Sequence, residues 1–174
     1  PLEGTGPAAW VISAAHGRAS ILFVLLAGLG VGLLLGSGRP RGTASLLARG
    51  AVLLVGGLAL QLLDHEVNVI LPMYAALFLV AIAVVRVPDR VLLGVAVVGV
   101  VLGPLIWTLA QIGGEFALTA PSLADPPVDV LAAVALTGPY PLVTWTAPFL
   151  LGIWLGRHDL ADVRLLRRLL LAGL

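Results

Sequence analysis

The chain has 174 residues and a formal net charge of +1, and 60% of its residues are hydrophobic while 11% are charged. Ordinary soluble domains contain about 45–50% apolar and about 25% charged residues, so a water-soluble globule of this length cannot bury so much apolar surface. The low net charge argues against nucleic-acid binding, which needs a concentrated basic face. The absence of cysteine excludes disulfides and thiolate metal sites.

Five apolar segments come close to the roughly 20 helical residues that cross a bilayer core. Because lipid offers the backbone no hydrogen-bond partner, we predict that each segment is an α-helix. The chain is therefore expected to be an all-α, polytopic membrane helix bundle of about five spans in one domain, residues 1–174. The predicted spans are Ala19–Gly36, Leu47–Leu63, Val69–Val85, Val91–Gln111 and Pro141–Gly156.

The first and last residues extend this prediction. Neither Pro1 nor Leu174 resembles a natural terminus, and the final residues, LLRRLLLAGL, form another apolar run. We therefore expect a fragment of a larger bundle, in which a sixth span begins at the C-terminal end.

Glycine recurs at four-residue spacing in two of the predicted spans. Gly28, Gly32 and Gly36 share one face of the first span, and Gly152 and Gly156 do so in the last. Small residues at this spacing let helices approach closely in lipid. Two interpretations are open: these faces are close helix contacts, or glycine is simply frequent in membrane helices.

The charges in the connections predict the orientation of the spans. After successive spans, the net charge of the connection alternates as +3, −2, +1, −3 and +2. Arginine-rich connections stay in the cytoplasm. The N-terminus and the long connection 112–139 are therefore expected outside, and the chain after Gly156 inside. That connection contains Gly113-Gly114 and several prolines, so we expect a cap or a tether, with Val128–Leu136 as a short interfacial helix.

Several ionisable residues are predicted to share the outer side of the membrane. The imidazole of His16 titrates in a range that suits a general base, Asp64 or Glu66 can orient it, and Arg18 can stabilise an oxyanion. His65 is a second candidate base. The alternatives are an Arg18 side chain that reaches the headgroups and a merely polar turn at DHE, residues 64–66.

Other polar and aromatic residues are candidates for binding. Asn68, Tyr140 and Trp145 are expected at the outer side, either as contacts for an acceptor or as interfacial anchors. On the inner side, Arg39 and Arg41, together with Arg49 and Arg157, are expected to attract anionic phosphates. His158 is interpreted as a capping or interfacial residue. Without a HExxH pair or repeated ligand spacing, no metal is expected.

Three segments in order carry a family resemblance. HGRASILFVLLAGLGVGLLLG (residues 16–36), VNVILPMYAALFLVAI (67–82) and TGPYPLVTWTAPFLLGIWLGRHDL (137–160) resemble successive landmarks of the membrane-protein group DUF418, also called YeiB-like. That group is related to heparan-alpha-glucosaminide N-acetyltransferase. The resemblance implies an acyltransferase-like bundle that moves an acyl group from cytosolic acyl-CoA to an acceptor across the membrane.

Two functional hypotheses remain, and the first of them follows from this resemblance. The first is acyl transfer at a bacterial plasma membrane, with acyl-CoA as donor substrate, an envelope glycan or glycolipid as acceptor, and His16 as base. The histidine of the related acetyltransferase stands further upstream of the following span than His16 does. The second hypothesis is a non-enzymatic integral membrane protein: a transporter, a flippase or an assembly subunit. Partners expected under either hypothesis are the lipid bilayer and a second copy or other membrane subunits, and no nucleic acid.

Overall fold

The computed structural model describes residues 7–36, 42–63, 68–113, 120–158 and 160. Within these residues the chain is helical and contains no strand, which confirms the all-α prediction. A π-helical segment, Ala133–Thr137, directly follows the fifth helix. The helices are α1 (Pro7–Gly36), α2 (Gly42–Leu60), α3 (Leu71–Val84), α4 (Asp89–Gly113), α5 (Pro127–Ala132) and α6 (Leu142–Gly156).

Two of the described helices, α2 and the part of α4 from Asp89 to Ile112, are long and apolar enough to cross a membrane. The segments Pro127–Thr137 and Leu142–Gly156 meet at a bend of 63° and would make a third crossing if they form one broken span. The apolar part of α1, Ala19–Leu35, and helix α3 are shorter. The structure therefore supports two to three membrane-capable helices, and the count of five spans stays a prediction.

Helices α1 and α6 run parallel and touch backbone to backbone through glycine. A Cβ atom added at Gly28 would lie 3.2 Å from the Cα of Gly152, and one added at Gly32 would lie 3.0 Å from the Cα of Gly156. The contacts pair Gly28 with Gly152 and Gly32 with Gly156, so residue numbers increase in the same direction along both helices, which are therefore parallel. Every one of these clashes is with backbone, so the predicted close packing of the four glycines is confirmed. The packing of Gly36 lies outside the described part.

Helix α4 packs against α6 in the opposite direction. A Cβ at Gly103 would lie 2.6 Å from the carbonyl oxygen of Val143, and one at Gly99 would lie 3.1 Å from the Cβ of Ala147. Helix α6 therefore has α1 and α4 as neighbours, and Phe149 and Ile153 are fully buried in it. Small residues on three helices thus let α6 lie at the centre of the bundle.

Helices α2 and α3 form an antiparallel pair beside this group. A Cβ at Gly57 would lie 2.6 Å from Cδ of Pro72, whereas Gly50 lies near the carbonyl of Ala75, where a Cβ would be 3.6 Å from its oxygen. Tyr74 of α3 contacts Phe23 of α1 in an edge-to-face arrangement, with ring centroids 5.8 Å apart. This contact connects α3 to α1.

The long connection contains the helix expected at Val128–Leu136, as α5 followed by the π-helical segment. Helix α5 has no buried residue, and its apolar side chains Val128 and Leu131 are 74% and 70% exposed. Apolar side chains are also widely exposed along α4, where Val101 is 67% exposed and Leu109 is 59% exposed. Such a large exposed apolar surface is typical of contact with lipid or with other membrane helices.

The helix directions divide the described structure into two ends. We call the end that contains Gln61, Asn68, Ala120 and Tyr140 the Asn68 end. The end that contains Val84, Asp89 and Arg157 is the Arg157 end. Helices α3 and α6 begin at the Asn68 end and finish at the Arg157 end, where α4 begins.

Candidate functional site

Most side chains of the predicted outer site lie outside the part of the chain that the structure describes. Helix α1 extends back to Pro7, so His16 and Arg18 belong to that helix and not to a preceding loop. Their side chains lie outside the described part of the chain. The other candidates outside the described residues are Asp64, His65, Glu66, Arg39 and Arg41.

At the Asn68 end, two side-chain amides bind the backbone of the connections. The Oδ1 atom of Asn68 accepts a hydrogen bond of 3.0 Å from the backbone N–H of Ala120. The Oε1 atom of Gln61 accepts one of 2.9 Å from the N–H of Val69. Asn68 thus joins the short turn between α2 and α3 to the long connection, which are two segments predicted on the same side of the membrane.

Tyr140 lies beside this junction. It is half-buried and lines a cavity of about 10 Å³ with Val69, Pro72, Met73 and Ala120 among its neighbours. A cavity of that size holds about one water molecule and is too small for a sugar or lipid headgroup. Asn68 and Tyr140 therefore lie near one another, as predicted, without a described cavity for an acceptor between them.

Trp145 lies one turn further into α6. It is partly buried and packs against the central core cluster. Its contacts are therefore those of a packing residue, and a role in acceptor binding stays a prediction.

At the Arg157 end, the guanidinium of Arg157 binds several backbone carbonyls and one carboxylate. Nη1 of Arg157 donates to the carbonyl of Val87 at 2.7 Å and to Oδ1 of Asp89 at 3.0 Å. Nη2 donates to the carbonyls of Val84 at 2.9 Å and Val85 at 3.1 Å. A cation is favourable where a helix ends and its last carbonyls are unpaired. Arg157 thereby joins the end of α6 to the end of α3 and the start of α4.

This geometry changes the interpretation of Arg157. The sequence placed it among the arginines that attract an anionic donor, but its side chain is only 16% exposed and its donors already bind carbonyls and a carboxylate. Among the other arginines of that group, Arg49 is described and exposed. The inner phosphate-attracting role is thus a prediction that applies to Arg39, Arg41 and Arg49.

His158 caps the same helix end. Its Nδ1 atom lies 2.8 Å from the carbonyl oxygen of Trp154. The centroids of the His158 and Trp154 rings are 4.5 Å apart. Its Nε2 atom lies 4.0 Å from Oδ2 of Asp89. The expectation of a capping residue is confirmed.

One described cavity was not predicted from the sequence. A groove of about 630 Å³ runs between α2, α3 and the connection around 122–134. Its lining includes small residues from both helices, Gly50 and Ala51 from α2 and Ala75 and Ala76 from α3. The connection closes one side, because the N–H of Leu123 donates to the carbonyl of Leu58 at 3.3 Å. The missed signal is the pairing of small residues on two adjacent spans.

Within the described residues, no group of three or more histidine or carboxylate side chains comes together as a metal site would require. Comparison with protein-family models, with curated proteins and with solved structures gives no match for this chain. The DUF418 resemblance therefore stays a prediction.

Proposed function

We propose that the chain forms part of a multi-pass bundle in a bacterial plasma membrane, with five spans and its N-terminus outside the cytoplasm. Five crossings require the first and last spans to run in the same direction, and the parallel packing of α1 and α6 agrees with this. Charge supports the same orientation. Asp125 and Asp129 belong to the connection at the Asn68 end, whereas the Arg157 end has Arg86, Arg90 and Arg157 against one described carboxylate, Asp89.

This orientation has a direct test, because the chain has no cysteine of its own. Ala124→Cys and Arg86→Cys place single thiols at exposed positions on opposite ends. In intact cells, a membrane-impermeant maleimide should label Ala124→Cys and should label Arg86→Cys only after lysis. Equal labelling of both variants before lysis would refute the orientation.

Within this bundle, the function that we propose is acyl transfer from cytosolic acyl-CoA to an extracytoplasmic envelope glycan or glycolipid. The observation that carries it is the Asn68–Ala120 hydrogen bond. It joins Asn68, which follows Asp64, His65 and Glu66 in the sequence, to the long connection at Ala120. The resemblance supplies the reaction class, and this junction supplies a place for it.

In this mechanism the acceptor hydroxyl or amine attacks the acyl carbonyl carbon, and the carbon–sulfur bond to CoA breaks. His16 takes the proton of the acceptor and returns it to the departing CoA thiolate. Asp64 or Glu66 orients the imidazole, with His65 as the alternative base, and Arg18 stabilises the oxyanion.

Binding of both substrates falls to other residues in this proposal. Asn68, Tyr140 and Trp145 contact the acceptor from the outer side, although the cavity beside Tyr140 is too small to enclose it. Arg39 and Arg41 attract the phosphates of acyl-CoA at the inner side. The thioester of the bound acyl-CoA must therefore reach from the Arg157 end to the Asn68 end, where the acceptor attacks it.

The test is transfer of labelled acetyl groups from acetyl-CoA to an envelope extract by the purified full-length protein. A general base contributes about 10²–10⁴-fold to a rate, so His16→Ala should lose most of the labelling. His158→Ala is the matched control, because His158 caps a helix at the other end. Labelling that is unchanged in His16→Ala would remove the catalytic assignment.

The second candidate is a non-enzymatic membrane protein. Ion-coupled transporters usually keep ionisable residues deep in the membrane, and no charged side chain is buried among the described residues. This observation favours an enzyme or an assembly subunit over a transporter. Thermal stabilisation by micromolar acyl-CoA would support the enzyme, whereas no stabilisation would support an assembly role.

A further inference from the structure

The groove between α2 and α3 has the dimensions of a ligand site. Its volume of about 630 Å³ lies within the roughly 300–1,000 Å³ that small-molecule sites occupy. Along α2 it extends from Leu47 to Leu58, a distance of about 16 Å at the helical rise per residue. A long, narrow groove of this kind fits an extended hydrocarbon chain better than a compact polar ligand.

The walls of the groove are apolar and open toward the surface that we place in lipid. Leu54, Leu79 and Leu131 are 38%, 58% and 70% exposed along its margins. In water such a surface would be costly, because apolar area costs about 25 cal/mol per Å² when hydrated. The chemistry of the walls therefore selects a hydrocarbon.

One place in the groove is polar, where the connection passes over it. Oδ2 of Asp125 accepts hydrogen bonds from the backbone N–H of Ser122 at 2.7 Å and from its hydroxyl at 3.0 Å. Among the described residues that line the groove, these are the polar side chains and none is basic. The exposed carboxylate of Asp125 therefore disfavours an anionic headgroup and complements a cationic one that donates hydrogen bonds.

We propose that this groove binds one acyl chain of phosphatidylethanolamine, with the ammonium of the lipid at the Asp125 carboxylate. The proposal rests on the membrane placement proposed above and is independent of acyl transfer. Phosphatidylcholine has the same charge without an N–H donor, and phosphatidylglycerol is anionic. The structure therefore orders the three lipids, with phosphatidylethanolamine bound best and phosphatidylglycerol bound least.

The experiment uses the full chain in nanodiscs that contain equal amounts of the three lipids, one of which carries a photoreactive diazirine in its acyl chain. Cross-linked peptides are then mapped by mass spectrometry. We expect phosphatidylethanolamine to label α2 and α3 along the groove more than the exposed face of α4. An exposed ion pair contributes up to ~1 kcal/mol, so the preference over phosphatidylglycerol should reach about fivefold.

Two variants and one control separate the parts of the proposal. Ala76→Phe fills the groove and should remove the groove-specific labelling by all three lipids. Ala83→Phe, two turns further along the same face of α3 and beyond the residues that line the groove, should leave it unchanged. Asp125→Asn keeps an acceptor for Ser122 and should remove the preference for phosphatidylethanolamine while labelling continues.

Three outcomes would overturn the proposal. The first is equal labelling of the groove in Ala76→Phe and in the unaltered chain. The second is labelling of α4 as strong as that of the groove. The third is a disulfide between two copies that carry Ala76→Cys, because this would identify the groove as a protein interface. Failure of the membrane placement itself is distinguishable, since the chain would then be absent from the washed membrane fraction.

Discussion

The contact between α1 and α6 predicts that two neighbouring glycines respond oppositely to the same substitution. At Gly28, an added Cβ would clash with the carbonyl of Phe149, with its oxygen closest and its carbon at 3.0 Å. At Gly30, the same Cβ would meet no atom within 4 Å. Both residues lie inside one helix, so Gly28→Ala and Gly30→Ala share the same change in helix propensity.

The magnitude follows from comparing these two variants. Alanine is favoured over glycine inside a helix by up to about 1 kcal/mol, and this gain is common to both. Overpacking a close contact typically costs about 1–3 kcal/mol, and here the opposing atoms are backbone, which cannot rotate away. Gly28→Ala should therefore have a free energy of unfolding about 1–3 kcal/mol below that of Gly30→Ala.

The assay is reversible unfolding of the purified chain in mixed micelles, titrated with a denaturing detergent and followed by circular dichroism. Gly152→Ala on the facing helix should behave like Gly28→Ala. The two changes together should cost less than their sum, because the first already separates the helices. If Gly28→Ala and Gly30→Ala unfold within about 0.5 kcal/mol of one another, which is the usual range for surface changes, the close contact is refuted.

Three further predictions use the same assay or limited proteolysis. Arg157→Gln should lower the free energy of unfolding by about 2–4 kcal/mol, because it removes charged donors from the carbonyls of Val85 and Val87 and from the Asp89 carboxylate; a change below about 0.5 kcal/mol would contradict this role. The Tyr74 hydroxyl and the Thr144 hydroxyl are buried without a hydrogen-bond partner among the described residues. Tyr74→Phe and Thr144→Val should therefore be neutral or stabilising, and a loss above about 1 kcal/mol would reveal a partner elsewhere in the chain. Asn68→Ala should speed protease cleavage near Ala120 with little change in global stability, and unchanged cleavage would show that this bond does not hold the connection.

Local spacing made the helix contacts predictable, although not their partners. Glycines four residues apart form one face of any α-helix, so Gly28 and Gly32 favoured a close contact over a merely frequent residue. That their partners are Gly152 and Gly156 depends on which helices become neighbours. The sequence contains the same small-residue pattern on both helices but does not state that they meet.

The observed helix boundaries differ from the predicted spans, because the apolar run and the backbone hydrogen bonding of a helix end at different residues. Apolar residues show where lipid contact would stop, but the backbone of α1 continues to Pro7, well before Ala19. In contrast, α3 begins at Leu71 and not at Val69. Pro72 suits the first turn of a helix because its missing N–H is not needed there, and the N–H of Val69 is already bound by Gln61.

Arg157 shows why charged side chains were the hardest to interpret. Its sequence position correctly predicted the end of a helix, where a cation is favourable. Its acceptors lie on residues about seventy positions earlier, at Val84 and Val87. Only the tertiary fold brings these carbonyls to the guanidinium, so a free phosphate-attracting arginine and a structural one look alike in the sequence.

The two ends of the bundle are held by interactions of different strength, and under the proposed acyl transfer this difference predicts where the acceptor is admitted. At the Arg157 end, one guanidinium binds three carbonyls and a carboxylate, and opening would leave that charge unpaired in partly buried surroundings. At the Asn68 end, the connection is held by single amide bonds such as that from Ala120 to Asn68. Such bonds contribute about 1 kcal/mol each, and local opening begins where contacts are few. We therefore expect access at the Asn68 end, the side on which the sequence placed His16 and the groove presents Asp125.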